Sequence, residues 1–121
     1  MKKILVIDDS EVNLFLLQTI LGEMDEFQIQ IESDSSEAFS YLREGKPDLL
    51  FLDLMMPVHG FDIIEQVKND QSLCKIPIIV VTAMHDDDTK EKVIALRVDE
   101  LIHKPIFAQD VQTLVRKYLA D

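Results

Sequence analysis

The residues in this sequence best suited to chemistry are Asp8, Asp9, Asp53, Thr82 and Lys104. Each follows or ends an apolar run: Ile4-Leu5-Val6-Ile7 leads into Asp8-Asp9, Leu49-Leu50-Phe51-Leu52 into Asp53, Ile78-Ile79-Val80-Val81 into Thr82, and Leu101-Ile102-His103 into Lys104. Three carboxylates in one crevice repel each other and raise each other's pKa values. A hard divalent cation such as Mg²⁺, with Mn²⁺ as a substitute, relieves that repulsion, because it prefers oxygen ligands and keeps several waters. A carboxylate beside such a cation, with an ammonium and a hydroxyl nearby, is equipped for phosphoryl transfer. The positive charges neutralise equatorial phosphoryl oxygens while the carboxylate attacks. Taken singly, each residue has a plainer reading: Asp8-Asp9 as a helix-capping pair, Asp53 and Thr82 as strand ends, Lys104 as a surface charge. The choice depends on whether the fold brings them together.

The hydrophobic pattern says that it does. Short continuous apolar runs read as strands buried on both faces of a parallel sheet. Such strands are expected at Lys3 to Ile7, Asp48 to Asp53 and Pro77 to Thr82. Gln28-Ile29-Gln30-Ile31-Glu32 alternates polar and apolar residues, which suits an edge strand. A mixed strand at Glu100 to His103 suits the other edge. Helices are expected between them: Glu11 to Met24, a short one from Ser35 or Ser36 to Leu42, Phe61 to Asn69, Asp87 to Leu96, and Phe107 to Leu119. Ser10 is placed to cap the first of these, and its core stripe is expected to be Val12, Leu16, Leu17, Ile20, Leu21 and Met24. The short helix is closed by Gly45 and Pro47. The run Asp86-Asp87-Asp88 opens the fourth helix, where the macrodipole favours acids. In the last helix the stripe is Phe107, Val111, Leu114, Val115 and Tyr118.

Repeated strand–helix units imply a parallel sheet covered by helices on both faces. With apolar strands central, mixed strands at the edges and right-handed crossovers, the strand order is 2-1-3-4-5. The chain then reverses direction between strands one and three. Ligands gather at such a switch point, outside the carboxyl ends of the strands. Asp8-Asp9 and Asp53 flank that crevice.

The chain has 121 residues, 47% of them hydrophobic, enough for one domain with a real core, taken as residues 1–121. A net charge of −11 argues against direct binding to nucleic acid or an anionic membrane. No apolar run has the length of a membrane span, and the run after Lys2-Lys3 is too short for a secretory signal. Cys74, the single cysteine, has no partner for an internal disulfide, so a cytoplasmic location is expected.

With these residues in place, the chain resembles the receiver domain of two-component response regulators over its whole length. The resemblance rests on Asp8-Asp9, on Asp53-Leu54-Met55-Met56-Pro57, on Thr82-Ala83 and on Lys104-Pro105, each at the matching element end. It implies a flavodoxin-like, doubly wound fold, as in chemotaxis-type regulators. It also implies that Asp53 is the phosphoacceptor for a sensor histidine kinase or a histidine phosphotransfer protein. Asp9 and Asp53 would bind Mg²⁺ directly, Asp8 through water, and the backbone carbonyl of Met55 would add an oxygen. Thr82 would hydrogen-bond the phosphoryl group, Lys104 would pair with it, and a cis bond before Pro105 would aim the lysine. Self-catalysed transfer and later hydrolysis make this a signalling protein rather than an enzyme. The Asp-x-Asp motif of haloacid-dehalogenase-type phosphatases is absent at Asp53-Leu54-Met55. The Met1 start suits a stand-alone receiver or an N-terminal one.

The sequence departs from the family pattern in three places. The loop Val58-His59-Gly60-Phe61 is one residue short. Arg97-Val98 replaces a usual Gly-Ala. Leu101 stands where the family has Tyr or Phe. Leu101 and His103 share one side of the last strand and are expected on the surface of the fourth helix, fifth strand and fifth helix. That surface is the expected output or dimer face. The departures also motivate an alternative, a constitutive interaction module that works without phosphorylation. His59, His85 and His103 all fall on the site side of the fold.

Overall fold

A computed structural model describes residues 1–55 and 60–120. Met56, Pro57, Val58 and His59 lie outside the described residues, and with them most of the shortened loop. The strands are β1 (Lys2–Ile7), β2 (Phe27–Glu32), β3 (Leu49–Asp53), β4 (Ile78–Thr82) and β5 (Glu100–His103). They pair in parallel in the order β2-β1-β3-β4-β5. The helices are α1 (Glu11–Gly22), α2 (Ala38–Gly45), α3 (Gly60–Lys68), α4 (Asp87–Ala95) and α5 (Ala108–Leu119), with a 3-10 turn at Ser35–Glu37 leading into α2. This is the doubly wound α/β sheet that the alternation of strand and helix patterns demands.

Every residue of β3 and β4 is buried, as expected for central strands. Alternate strand residues feed two cores. Ile4, Val6, Phe51, Ile79 and Val81 pack with α1 and α5 on one face, and Leu5, Ile7, Leu50, Leu52 and Val80 with α2, α3 and α4 on the other. Burying one such aliphatic side chain contributes roughly 1.5–3 kcal/mol. The two cores therefore fix the sheet from both sides and hold the strand ends at one level.

Two acidic residues set the register at the other end of the sheet. Asp48, just before β3, accepts a hydrogen bond from the Lys3 amide through Oδ2 (2.8 Å) and donates its own amide to the Lys3 carbonyl (2.8 Å). Asp99, just before β5, does the same with Ile78 of β4 at 2.8 and 3.1 Å. Each replaces a missing ladder partner and stops the strand from slipping by a residue.

Ser10 caps α1 as expected, its side chain accepting from the Asn13 amide. The face that α1 buries differs from the expected stripe. Leu14, Leu17, Ile20 and Leu21 are buried, Leu16 and Met24 pack at the margin, and Val12 is 77% exposed. The helix carries apolar residues on most sides, so helical spacing alone did not select the buried one. Phe107 is likewise no part of the α5 stripe: it precedes the helix as N-cap and is 61% exposed. Val111, Val115 and Leu119 are the buried positions instead.

The closure of α2 also differs. Gly45 is the last helical residue and Lys46 takes the left-handed turn at φ 41°. Arg97 adopts a left-handed backbone at φ 58°. A side chain there costs about 1–2 kcal/mol, partly offset because glycine gains more freedom on unfolding. Arg97→Gly is therefore expected to raise stability by about 0.5–1 kcal/mol, measured by urea unfolding; a loss of stability would contradict the assigned turn.

Candidate functional site

The topology delivers the carboxyl ends of β1, β3, β4 and β5 to one edge. Asp8 and Asp9 follow β1, Asp53 ends β3, Thr82 ends β4 and Lys104 follows β5. Asp8, Asp53 and Thr82 are buried, while Asp9 is exposed. Carboxylate oxygens of Asp8, Asp9 and Asp53 lie within 4.8 Å of one another. The Lys104 ammonium stands between two of them, 3.1 Å from Asp53 Oδ2 and 3.4 Å from Asp8 Oδ2. It donates a hydrogen bond to Asp53; toward Asp8 it is close but poorly aligned, so Asp8 Oδ2 is buried with no hydrogen-bond partner among the described residues.

Local backbone holds the other oxygens. The Ser10 amide donates to Asp8 Oδ1 (2.9 Å), and the Met55 amide to Asp53 Oδ1 (3.2 Å). Thr82 Oγ accepts from the Met84 amide (3.1 Å), which fixes the hydroxyl rotamer at the mouth of the loop into α4. The Lys104 amide donates to the Thr82 carbonyl (2.9 Å), tying the lysine to the strand that carries the threonine. The Lys104–Pro105 bond is cis.

Electrostatics follow from this crowding. Burial is the largest influence on Asp8 and pushes its pKa from 3.8 to about 6. The Ser10 amide and the Lys104 charge work against that rise, and the Asp53 charge adds to it. A buried, unsatisfied carboxylate oxygen beside two more carboxylates suits a hard divalent cation, which takes oxygen donors and offsets their repulsion. The donor set therefore fits Mg²⁺ or Mn²⁺.

Gly60 was not singled out by the sequence pattern. Its amide donates to the Leu54 carbonyl (3.1 Å), seating the first turn of α3 directly on the end of β3. A Cβ there would lie 2.7 Å from the Asp53 carbonyl oxygen and 2.7 Å from Leu54 Cα. The structure also joins two residues that the sequence left apart. The rings of His85 and His103 stack at 4.2 Å between centroids and 15° between planes. Leu101 pairs with Val80 and packs, partly buried, on the core beneath α4. The doubly wound sheet thus carries its acidic cluster at the switch point, outside the carboxyl ends of β1 and β3.

The chain belongs to the response regulator receiver domain family, whose model matches residues 4–116. Among its relatives is the polar-differentiation response regulator DivK of Brucella anthropi, 28% identical over 121 residues, covering 99% of this chain and 98% of that protein. The signal receiver domain of a signal transduction histidine kinase from Syntrophus aciditrophicus superposes with a TM-score of 0.90 at 26% identity, covering 99% of this chain and 91% of that one. The chemotaxis protein CheY4 of Vibrio cholerae superposes with a TM-score of 0.88 over 98% of this chain and 99% of that one; at 22% identity this likeness shows the fold alone. No described helix is long and apolar enough to cross a membrane.

Proposed function

We propose that Asp53 accepts a phosphoryl group from a sensor histidine kinase or a histidine phosphotransfer protein, and that the protein is switched by it. The observation that carries this reading is the shared contact of Lys104 with two buried carboxylates, 3.1 Å to Asp53 and 3.4 Å to Asp8. A partly buried ammonium held between two buried acids gains little as a structural feature alone, since well-packed apolar residues do as well or better. Its value appears when more negative charge arrives.

A carboxylate oxygen of Asp53 attacks phosphorus, the bond from phosphorus to the donor's imidazole nitrogen breaks, and an aspartyl phosphate results. Asp9, Asp53 and the Met55 carbonyl would hold Mg²⁺ directly in this reading, and Asp8 through water. When bound, that ion neutralises charge on the phosphoryl oxygens. Lys104, already 3.1 Å from Asp53, would pair with the phosphoryl group. Thr82 Oγ exchanges its bond from the Met84 amide for one to the phosphoryl group, which draws the loop after β4 inward. That movement shifts a pre-existing equilibrium at the α4–β5–α5 face, where Leu101 and His103 lie and an output partner or second copy docks. Later hydrolysis at the same site resets the switch. Cytoplasmic localisation and a single domain over residues 1–121 belong to this reading.

Incubation with a small phosphodonor and MgCl₂ should raise the intact mass by one phosphoryl group. Asp53→Asn should show no gain, and chelation should abolish the gain in the wild type. An unmodified wild type, or equal uptake by Asp53→Asn, would reject the reading.

A further inference from the structure

We infer that His85 is a positioning residue for phosphoryl capture: its ring, stacked on His103, holds the loop after β4 on the β5 side of the sheet and so holds the Thr82 hydroxyl back from Asp53. The inference rests on the phosphoacceptor reading of Asp53 and concerns two side chains to which that chemistry gives no part. His103 ends β5 and pairs with Thr82 across the ladder. His85 lies three residues beyond Thr82, in the loop that leads to α4. Their rings stack face to face, with 4.2 Å between centroids and 15° between planes.

The strand order fixes the direction of the effect. β4 lies between β3, which carries Asp53, and β5, which carries His103. A loop drawn toward a phosphoryl group on Asp53 is therefore drawn away from His103, and the stack must separate. Two contacts hold the loop where it is. One is the bond from the Met84 amide to Thr82 Oγ (3.1 Å), the bond that a phosphoryl group would replace. The other is the ring of His85, the next residue in the chain. His85 is exposed, whereas His103 is half-buried, and its Nε2 is shut off from water with no hydrogen-bond partner among the described residues. The ring at the strand end is thus the fixed half of the pair, and the ring on the loop is the movable half.

Leu101, on the same side of β5, packs on the core beneath α4 and offers the loop no ring. The link from the loop to β5 falls to the two histidines. Stacked aromatic rings shift an equilibrium by about twofold to tenfold. The stack therefore biases the loop toward its resting position by about that factor, and it leaves Asp53, Thr82 and Lys104 themselves unchanged.

The test compares wild type, His85→Ala and His85→Phe at one pH. Before any phosphoryl mimic is added, the Met84 amide should exchange its hydrogen about twofold to tenfold faster in His85→Ala than in wild type. His85→Phe keeps a stacking ring and should restore the slow rate. In saturating MgCl₂, His85→Ala should bind beryllofluoride, a phosphoryl mimic, about twofold to tenfold more tightly, with His85→Phe again close to wild type. In the wild type, the ring-proton NMR signals of His85 and His103 should move downfield together on binding, as each ring leaves the shielding face of the other. Weaker or unchanged binding by His85→Ala, failure of His85→Phe to restore either value, or ring signals that stay in place while beryllofluoride binds would overturn the inference and leave the phosphoacceptor reading standing. A wild type that binds no beryllofluoride and gains no phosphoryl mass would reject that reading, and the inference with it.

Discussion

Asp8→Asn should make the metal-free protein more stable at neutral pH, by about 1–3 kcal/mol. Removing an acid that accepts a hydrogen bond and faces an ammonium would ordinarily weaken the protein, so the sign matters. Burial raises the Asp8 pKa from 3.8 to about 6, with the Ser10 amide and Lys104 opposing and the Asp53 charge adding. An acid whose folded pKa lies above its unfolded value binds its proton more tightly when folded. Its favourable contribution is complete below pH 3.8 and is lost as pH rises through about 6. At neutral pH the fold therefore carries a charged, half-satisfied carboxylate at a cost that Asn does not impose. Asn can still accept the Ser10 amide through Oδ1, so the cap-like contact at 2.9 Å survives.

The measurement is urea unfolding of wild type and Asp8→Asn across the acid range, in chelator. The gap between the two should be widest near neutrality and shrink as pH falls through about 6. A gap that does not change with pH would show that Asp8 is not the group responsible. Saturating MgCl₂ should stabilise the wild type more than the variant, because a ligand that binds only the folded state adds stability by mass action. The same cost that burdens the metal-free fold is what a bound cation would relieve. In the proposed reading, stability is given up at this edge of the sheet in exchange for a site that would respond to added charge.

How much of this was legible in the sequence depends on the distance over which each feature is written. Central strands announce themselves, because a strand buried on both faces must be apolar throughout; β3 and β4 were read to within a residue. Strand order followed from the contrast between those strands and the alternating β2. The buried face of α1 is not legible, since Val12, Leu14, Phe15, Leu16 and Leu17 offer competing stripes and only packing against β1, β2 and α5 chooses among them. Phe107 fits the spacing of the α5 stripe, yet the chain is still extended there, at the N-cap. Asp48 reads as the start of the third strand and Asp99 carries no signal of its own, and their work as register pins depends on amides 45 and 21 residues away. The His85–His103 stack is non-local in the same sense. The acidic cluster was readable because the topology could be inferred first and the strand ends then followed.

Gly60→Ala should destabilise the protein by about 2–3 kcal/mol and slow phosphoryl uptake together. Glycine is not required here for its backbone angle, since no described glycine has positive φ. It is required for space. The added methyl would meet the Asp53 carbonyl oxygen and Leu54 Cα at 2.7 Å each, and Leu54 Cδ2 at 3.0 Å. Two of the three obstacles are backbone atoms, which no rotamer change can move. Overpacking of this kind costs typically about 1–3 kcal/mol, and losing the Gly60 amide bond to Leu54 adds about 1. Alanine's better helix propensity returns at most about 1 kcal/mol. Relief must come from sliding α3 away from β3 or from displacing the strand end that carries Asp53. Either movement alters the spacing of Asp53 from Asp8 and Lys104, so stability and reactivity should fall in step. Gly22→Ala is the matched control: nothing lies within 4 Å of its added methyl, and it should gain stability instead. Urea unfolding and the rate of phosphoryl uptake, measured on both variants, decide the matter. A Gly60→Ala protein as stable and as reactive as wild type would mean that α3 does not rest on the end of β3.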